Sequence, residues 1–197
     1  MPDLTSQLDL ERCPHCNVDK PTLTARADFQ TIAERGKEIR IWKFYFCARC
    51  GGVVTATAPE QNKRISQIFP APVDVDASVP EVAREYLRQA ISSTSAPAGA
   101  VMLAASAVDA MLKAKDYTEG SLYARINSAR DDHLITPEMA EWAHEVRLDA
   151  NDPRHADETK PIPDIADAAR VIEFTQALAQ FIFVLPARVT RGRAGQG

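Results

Sequence analysis

Cys13-Pro14-His15-Cys16 and Cys47-Ala48-Arg49-Cys50 hold all four cysteines of the 197-residue chain, with 30 residues between the pairs. A Cys-x-x-Cys turn brings two sulfurs to one metal from a tight loop, and two such turns complete tetrahedral coordination. The pattern predicts a structural zinc site with ligands Cys13, Cys16, Cys47 and Cys50, closed to substrate because no coordination position stays open. Gly51-Gly52, following the second pair, suits a metal knuckle that needs unusual backbone angles. His15 lies between two ligands that already serve the metal and reads as a surface residue. Two disulfides are a competing use, but they need an oxidising compartment. The start Met1-Pro2-Asp3-Leu4-Thr5 has neither the basic opening nor the apolar core of a secretory signal. A thioredoxin-like dithiol would use one pair and leave the other unexplained.

Working outward, residues 23–30 and 38–46 read as strands, the second carrying Ile39, Ile41, Trp42, Phe44, Tyr45 and Phe46. Arg35-Gly36-Lys37 supplies a hairpin turn, and residues 51–57 a third strand. Such a sheet cannot bury a core alone, so residues 1–57 are expected to form a metal-stapled zinc ribbon. Residues 58–79 have little periodicity and contain Pro59, Pro70 and Pro72, which predicts an extended linker.

From Ser78 the pattern turns helical. Ser78-Val79-Pro80-Glu81 reads as a capping box opening a helix to about residue 91. A second helix begins at Ser95-Ala96-Pro97 and is apolar on most sides, which places it at the centre of a bundle. A third opens at Thr118 or Ser121, a fourth at Thr136-Pro137-Glu138, and a fifth runs from Pro163 or Asp164 to Leu185. The fold class is therefore α+β: a small four-cysteine zinc-ribbon β-sheet followed by an all-α bundle of about five helices over residues 80–186, with residues 187–197 as a disordered tail.

Hydrophobic residues make up 45% of the chain, and no apolar run nears the roughly 20 residues a bilayer span needs, so a cytoplasmic protein with no membrane partner is expected. The net charge of −4 argues against a broad nucleic-acid surface but not a local one. Residues 1–70 carry 10 Lys+Arg against 8 Asp+Glu, and the remainder 13 against 19. Charge thus gives slight support to a nucleic-acid partner at the ribbon. Arg40, Trp42, Lys43, Tyr45 and Arg49 are candidates for a stacking and phosphate-binding face, although alternation requires one face of a strand to be buried, and Trp42 or Phe44 then reads as core.

The polar segment from Glu145 to His155 is the other candidate site. Arg147 and Asn151 share a helix face, and Pro153 predicts a break at Asp152 that turns His155 back toward them. The same groups equally serve to cap two helices and pair with one another.

The run Asp132-His133-Leu134-Ile135-Thr136-Pro137, then Trp142-Ala143-His144-Glu145-Val146-Arg147, then Asn151 and His155 resembles domain-of-unknown-function family 4145, of the HEPN-like helical proteins. The Cys-Pro-x-Cys ribbon, the proline-rich bridge and Val79-Pro80 extend the resemblance to nearly the whole chain. It implies a homodimer and an association with RNA or nucleotides. In active HEPN relatives an Arg-x(4–6)-His motif cleaves RNA without metal, which implies catalytic roles for Arg147, Asn151 and His155, with Arg154 as a further phosphate contact beside Lys43 and Arg49. This chain departs from the motif: seven residues separate Arg147 from His155, and Ser106 and Asp109 stand where the family has an arginine and a glutamate. Asp109 is expected to pair with Arg147. Three functions follow: a non-catalytic nucleic-acid- or nucleotide-binding module, a metal-independent ribonuclease, or a dimeric scaffold whose polar motif is structural.

Overall fold

The computed structural model describes all residues except 35, 37, 72, 73, 156–160 and 195–197, and leaves out the side chains of 151–155. Two compact units divide the chain, Met1–Val73 and Asp74–Gly197.

The first unit is a four-stranded antiparallel sheet in the order β1 (Leu23–Ile32), β2 (Ile39–Cys47), β3 (Val53–Ala58) and β4 (Gln67–Phe69). The first hairpin closes with an Ala33–Glu38 backbone bond and Gly36 at φ 67°; its neighbours Arg35 and Lys37 lie outside the described residues. Strand β4 lies inside the segment expected as a linker, so the sheet unit reaches well past Thr57. Its three residues are too few to show a period.

An antiparallel sheet needs only one buried face. Here that face carries Ile41, Tyr45, Cys47, Val54, Ala56, Ala58 and Ile68, and the N-terminal segment packs Leu4 and Leu8 onto it. The phenol of Tyr45, fully buried, donates to the Thr5 carbonyl at 2.8 Å. Trp42 and Phe44 have the opposite parity and lie on the other face, contrary to their reading as core. The period-2 pattern fixes the pairs of faces, not which is covered, and the cover is the N-terminal segment.

The second unit contains α1 (Glu81–Ser92), α2 (Pro97–Lys113), α3 (Leu122–Asp131), α4 (Pro137–His155), α5 (Ile165–Ala179), a π-helical turn (Gln180–Val184) and α6 (Leu185–Ala194). The apolar helix α2 is central as expected, packing against α1, α3, α4 and α5 through Val101, Ala104, Val108, Met111 and Leu112. Pro80, not Ser78, is the N-cap of α1, and no side chain caps it. Ser78 instead donates its N–H and O–H to Asp76, at 2.9 and 2.7 Å. A capping box does occur at Asp164 and Asp167, at the start of α5.

Helix α4 runs through Pro153 to His155, so the break expected at Asp152 is absent. Proline disfavours helix in the residue before it but does not forbid it near a helix end. The tail expected to be disordered is helical to Ala194. The π turn lies just before Pro186, where an α-helix would meet the proline ring and lose a bond, and the chain continues past it as α6. The continuous run Ile165–Ala194 is long and apolar enough to cross a bilayer by composition, but half of its most apolar window is buried within the protein, as in a core helix.

Candidate metal centre and polar sites

The two cysteine knuckles share one backbone geometry. The N–H of Asn17 donates to the Cys13 carbonyl, and that of Gly51 to the Cys47 carbonyl, each at 2.9 Å. The N–H groups of Cys13 and Cys47 donate to the carbonyls five residues on, Val18 and Gly52, each at 3.0 Å. Both fifth positions are left-handed, Asn17 at φ 55° and Gly51 at φ 70°. Asparagine tolerates that region better than most residues, which is why the first knuckle works without glycine. Gly52 is needed for a different reason: a Cβ there would lie 2.6 Å from the Cγ and Cδ2 of His15. The exposed imidazole lies against that glycine, its Nε2 2.8 Å from the Val53 carbonyl, and so pins one knuckle to the other.

The four sulfurs lie within 4.8 Å of one another, with Cys13–Cys50 and Cys16–Cys47 both at 4.0 Å. A disulfide would need about 2.05 Å. Tetrahedral bonds of about 2.3 Å put sulfurs about 3.8 Å apart, so the cluster fits a metal ion with little adjustment. Burial pushes the Cys13 thiol up. Burial acts the same way on Cys47, but backbone N–H groups of Cys50 and Arg49 outweigh it and hold that thiol at about 7. At Cys50 the Gly52 N–H works to lower the pKa, yet burial and the three neighbouring sulfurs push it up to about 12. The Cys47 thiolate thus forms most readily, and a bound cation would favour ionisation at Cys13 and Cys50.

On the open face of the sheet, aromatic rings form a shelf. Phe29 lies beside Trp42 at 6.3 Å and Phe44 at 5.4 Å, and Trp42 beside Phe69 at 6.2 Å, with ring planes 10–29° apart. Phe29 and Phe69 are each 47% exposed, and Phe46 is 40% exposed. The Trp42 indole N–H donates to Thr31 Oγ1 at 2.8 Å, which ties the ring to β1. Of the basic and aromatic candidates, Arg40 shares this face, whereas Lys43 and Tyr45 lie on the core side. The Lys43 ammonium, only 14% exposed, is 3.8 Å from Asp28. Arg49 is exposed in the second knuckle. Sequence reasoning missed Phe29 and Phe69; the parity of Cys47, which must face its partner sulfurs, is the signal that would have found their face.

In the helical unit, Asp109 pairs with Arg125 of α3 rather than with Arg147. Arg125 Nε and Nη2 lie 2.9 and 2.7 Å from one Asp109 oxygen, and the Lys113 ammonium lies 2.6 Å from the other. Arg125 also donates to the carbonyls of Thr118 and Gly120, tying down the α2–α3 connection. The Arg147 guanidinium instead lies 5.4 Å from the centre of the Tyr123 ring, with a buried Nε that has no hydrogen-bond partner among the described residues. Arg147, Asp109, Arg125 and Tyr123 line one cavity of about 550 Å³. His144 also packs against Tyr123, at 4.7 Å between ring centres, and meets Asn127 Oδ1 at 3.2 Å. Burial, with Arg147 and Arg130 nearby, holds this imidazole below its usual range. The side chains of Asn151, Arg154 and His155 lie outside the described residues.

A family model, the domain of unknown function DUF4145, matches residues 87–194, more than half of the chain. The chain belongs to the DUF4145 family. The matched DUF4145 region begins inside α1 and ends with α6, so it contains Arg147 and all of its cavity's lining but Val82 and Tyr86, and neither the cysteine cluster nor the aromatic shelf. No curated protein and no solved structure matches the chain.

Proposed function

We propose that the protein is a nucleic-acid-associated binding protein, in which a zinc-stapled ribbon presents a base-stacking shelf and the same chain carries a HEPN-like DUF4145 bundle. The observation that carries this reading is the row of Phe29, Trp42, Phe44 and Phe69 on the open sheet face, with rings nearly parallel and partly exposed. Unpaired bases stack on such rings whatever their sequence, and each is worth about 1–3 kcal/mol. Four soft sulfur donors at tetrahedral spacing favour zinc among the common divalent ions. Their separation as thiols fits a reducing cytoplasm. Fluorescence anisotropy with an unpaired oligonucleotide tests the shelf: Trp42→Ala is expected to weaken binding about tenfold to a hundredfold. Equal affinity for duplex, or no change in the variant, would sink the proposal.

The homodimer belongs to the same reading, supported by the exposed apolar side chains of Phe181, Leu185 and Val189 at four-residue steps along one continuous helix. RNA cleavage is a second reading, favoured by the buried Nε of Arg147 at the cavity wall, which has no partner among the described residues. Incubation with RNA in a chelator separates the two. Cleavage that disappears in His155→Ala supports the enzyme; intact RNA with both proteins folded supports binding alone.

A further inference from the structure

A second cavity in the helical unit, of about 820 Å³, lies among residues 74–79, α1, α5, the π turn and α6. Four guanidinium side chains line it, Arg84 and Arg88 from α1 and Arg188 and Arg191 from α6, against two carboxylates, Asp74 and Asp76. This concentration runs against its surroundings, because residues 71–197 carry 13 Lys+Arg and 19 Asp+Glu. Helix α6 has no acidic residue and buries none of its side chains, so packing does not account for its arginines. Among the described residues, neither Arg188 nor Arg191 closes a salt bridge. Asp76, the carboxylate nearest their influence, is already engaged by the N–H and O–H of Ser78. Those bonds hold its carboxyl below the usual range, and the fields of Arg191 and Arg188 add to the effect. On α1, Arg88 meets Glu85 at 3.1 Å and Arg84 reaches the Ala77 carbonyl at 3.4 Å, so the cationic capacity left over lies with Arg188 and Arg191. Its floor is apolar, built from Val79, Leu87 and Val184, with the amides of Gln176 and Gln180 on one wall.

We propose that this cleft binds a small polyphosphate anion, held between the arginines of α1 and those of α6. Guanidinium forks match phosphate oxygens two at a time, and arginines on two helices suit an anion with several phosphoryl groups better than a lone carboxylate. A volume of about 820 Å³ in an open cleft suits a small molecule rather than a duplex track. The source is inorganic polyphosphate or a nucleoside triphosphate; the second would add a base over the apolar floor. The site is separate from the ribbon and does not depend on base stacking there.

The test is titration calorimetry of the full zinc-loaded chain with inorganic tripolyphosphate and, separately, with a nucleoside triphosphate. Saturable binding that falls at least about tenfold in Arg188→Gln/Arg191→Gln, and is unchanged in Trp42→Ala, is the expected result. Both arginines are exposed, so the variant should keep the parent's unfolding midpoint. A nucleoside triphosphate that binds more tightly than tripolyphosphate assigns the floor to a base; equal affinities assign the site to the phosphates alone. Absence of saturation at about 1 mM, affinity unchanged in the double variant, or loss in Trp42→Ala instead would overturn the proposal.

Discussion

At the scale of single residues, the contact between His15 and Gly52 makes a sharp prediction. In Gly52→Ala the new methyl lies 2.6 Å from the ring, which must move and give up the Val53 carbonyl. Overpacking of this kind costs about 1–3 kcal/mol, read as weaker zinc retention against a competing chelator. His15→Ala in the same chain should recover most of it, because the obstruction is gone. Asp109 gives a second case. Asp109→Ala leaves Arg125 nearly buried and without its carboxylate, and the bundle should lose about 2–3 kcal/mol in urea unfolding. That is less than a fully buried pair would cost, since Asp109 stays 24% exposed. Tyr45 gives a third. Burial pushes its phenol up to about 12 from 10, so its contribution is complete below pH 10 and is lost as pH rises through 12. Ultraviolet titration should show one late-ionising tyrosine that is missing in Tyr45→Phe. The four sulfur ligands were legible because spacing alone defines a knuckle. The partner of Asp109 was not, since a pairing between helices depends on how α2 and α3 rotate against each other. Arg125, 16 residues away, carries no local mark.

At the scale of elements, the three longer strands and all five expected helix starts were legible from alternation, apolar stripes and turn residues, to within a few residues. The ends were harder. Proline was read as a stop at Pro153 and Pro186, but both lie within helix. In the second case the widened turn upstream takes up the misfit. Proline also marked residues 58–79 as linker, though Gln67–Phe69 adds a fourth strand to the sheet. The ribbon joins its elements through the cysteine cluster, so the metal is expected to support the sheet directly. A strong chelator should expose the buried Tyr45 and Leu23 and shift Trp42 fluorescence, whereas the helical circular-dichroism signal at 222 nm should stay within about a tenth of its starting value. Metal analysis should return one zinc per chain.

At the scale of the whole molecule, two separate hydrophobic cores stand behind those responses, one around Leu4, Tyr45 and Val54 and one around α2. Each unit buries its own apolar residues, so urea unfolding of the zinc-loaded protein should deviate from a single transition, and Cys47→Ser should shift only the ribbon's step. The π turn bears on the molecule in another way. The Leu185 N–H reaches back five residues to the Gln180 carbonyl, so the turn holds one residue more than an α turn. A turn that takes in one more residue absorbs it, so the helix beyond keeps nearly the heading that a regular turn with one residue fewer would give it. A single-codon deletion within residues 180–184 that restores a regular turn would therefore leave Arg188 and Arg191 pointing much as they do. The same deletion in the regular stretch of α5 would instead carry both about 100° around the axis, so the place of a lost codon, not the loss itself, decides where that charge points.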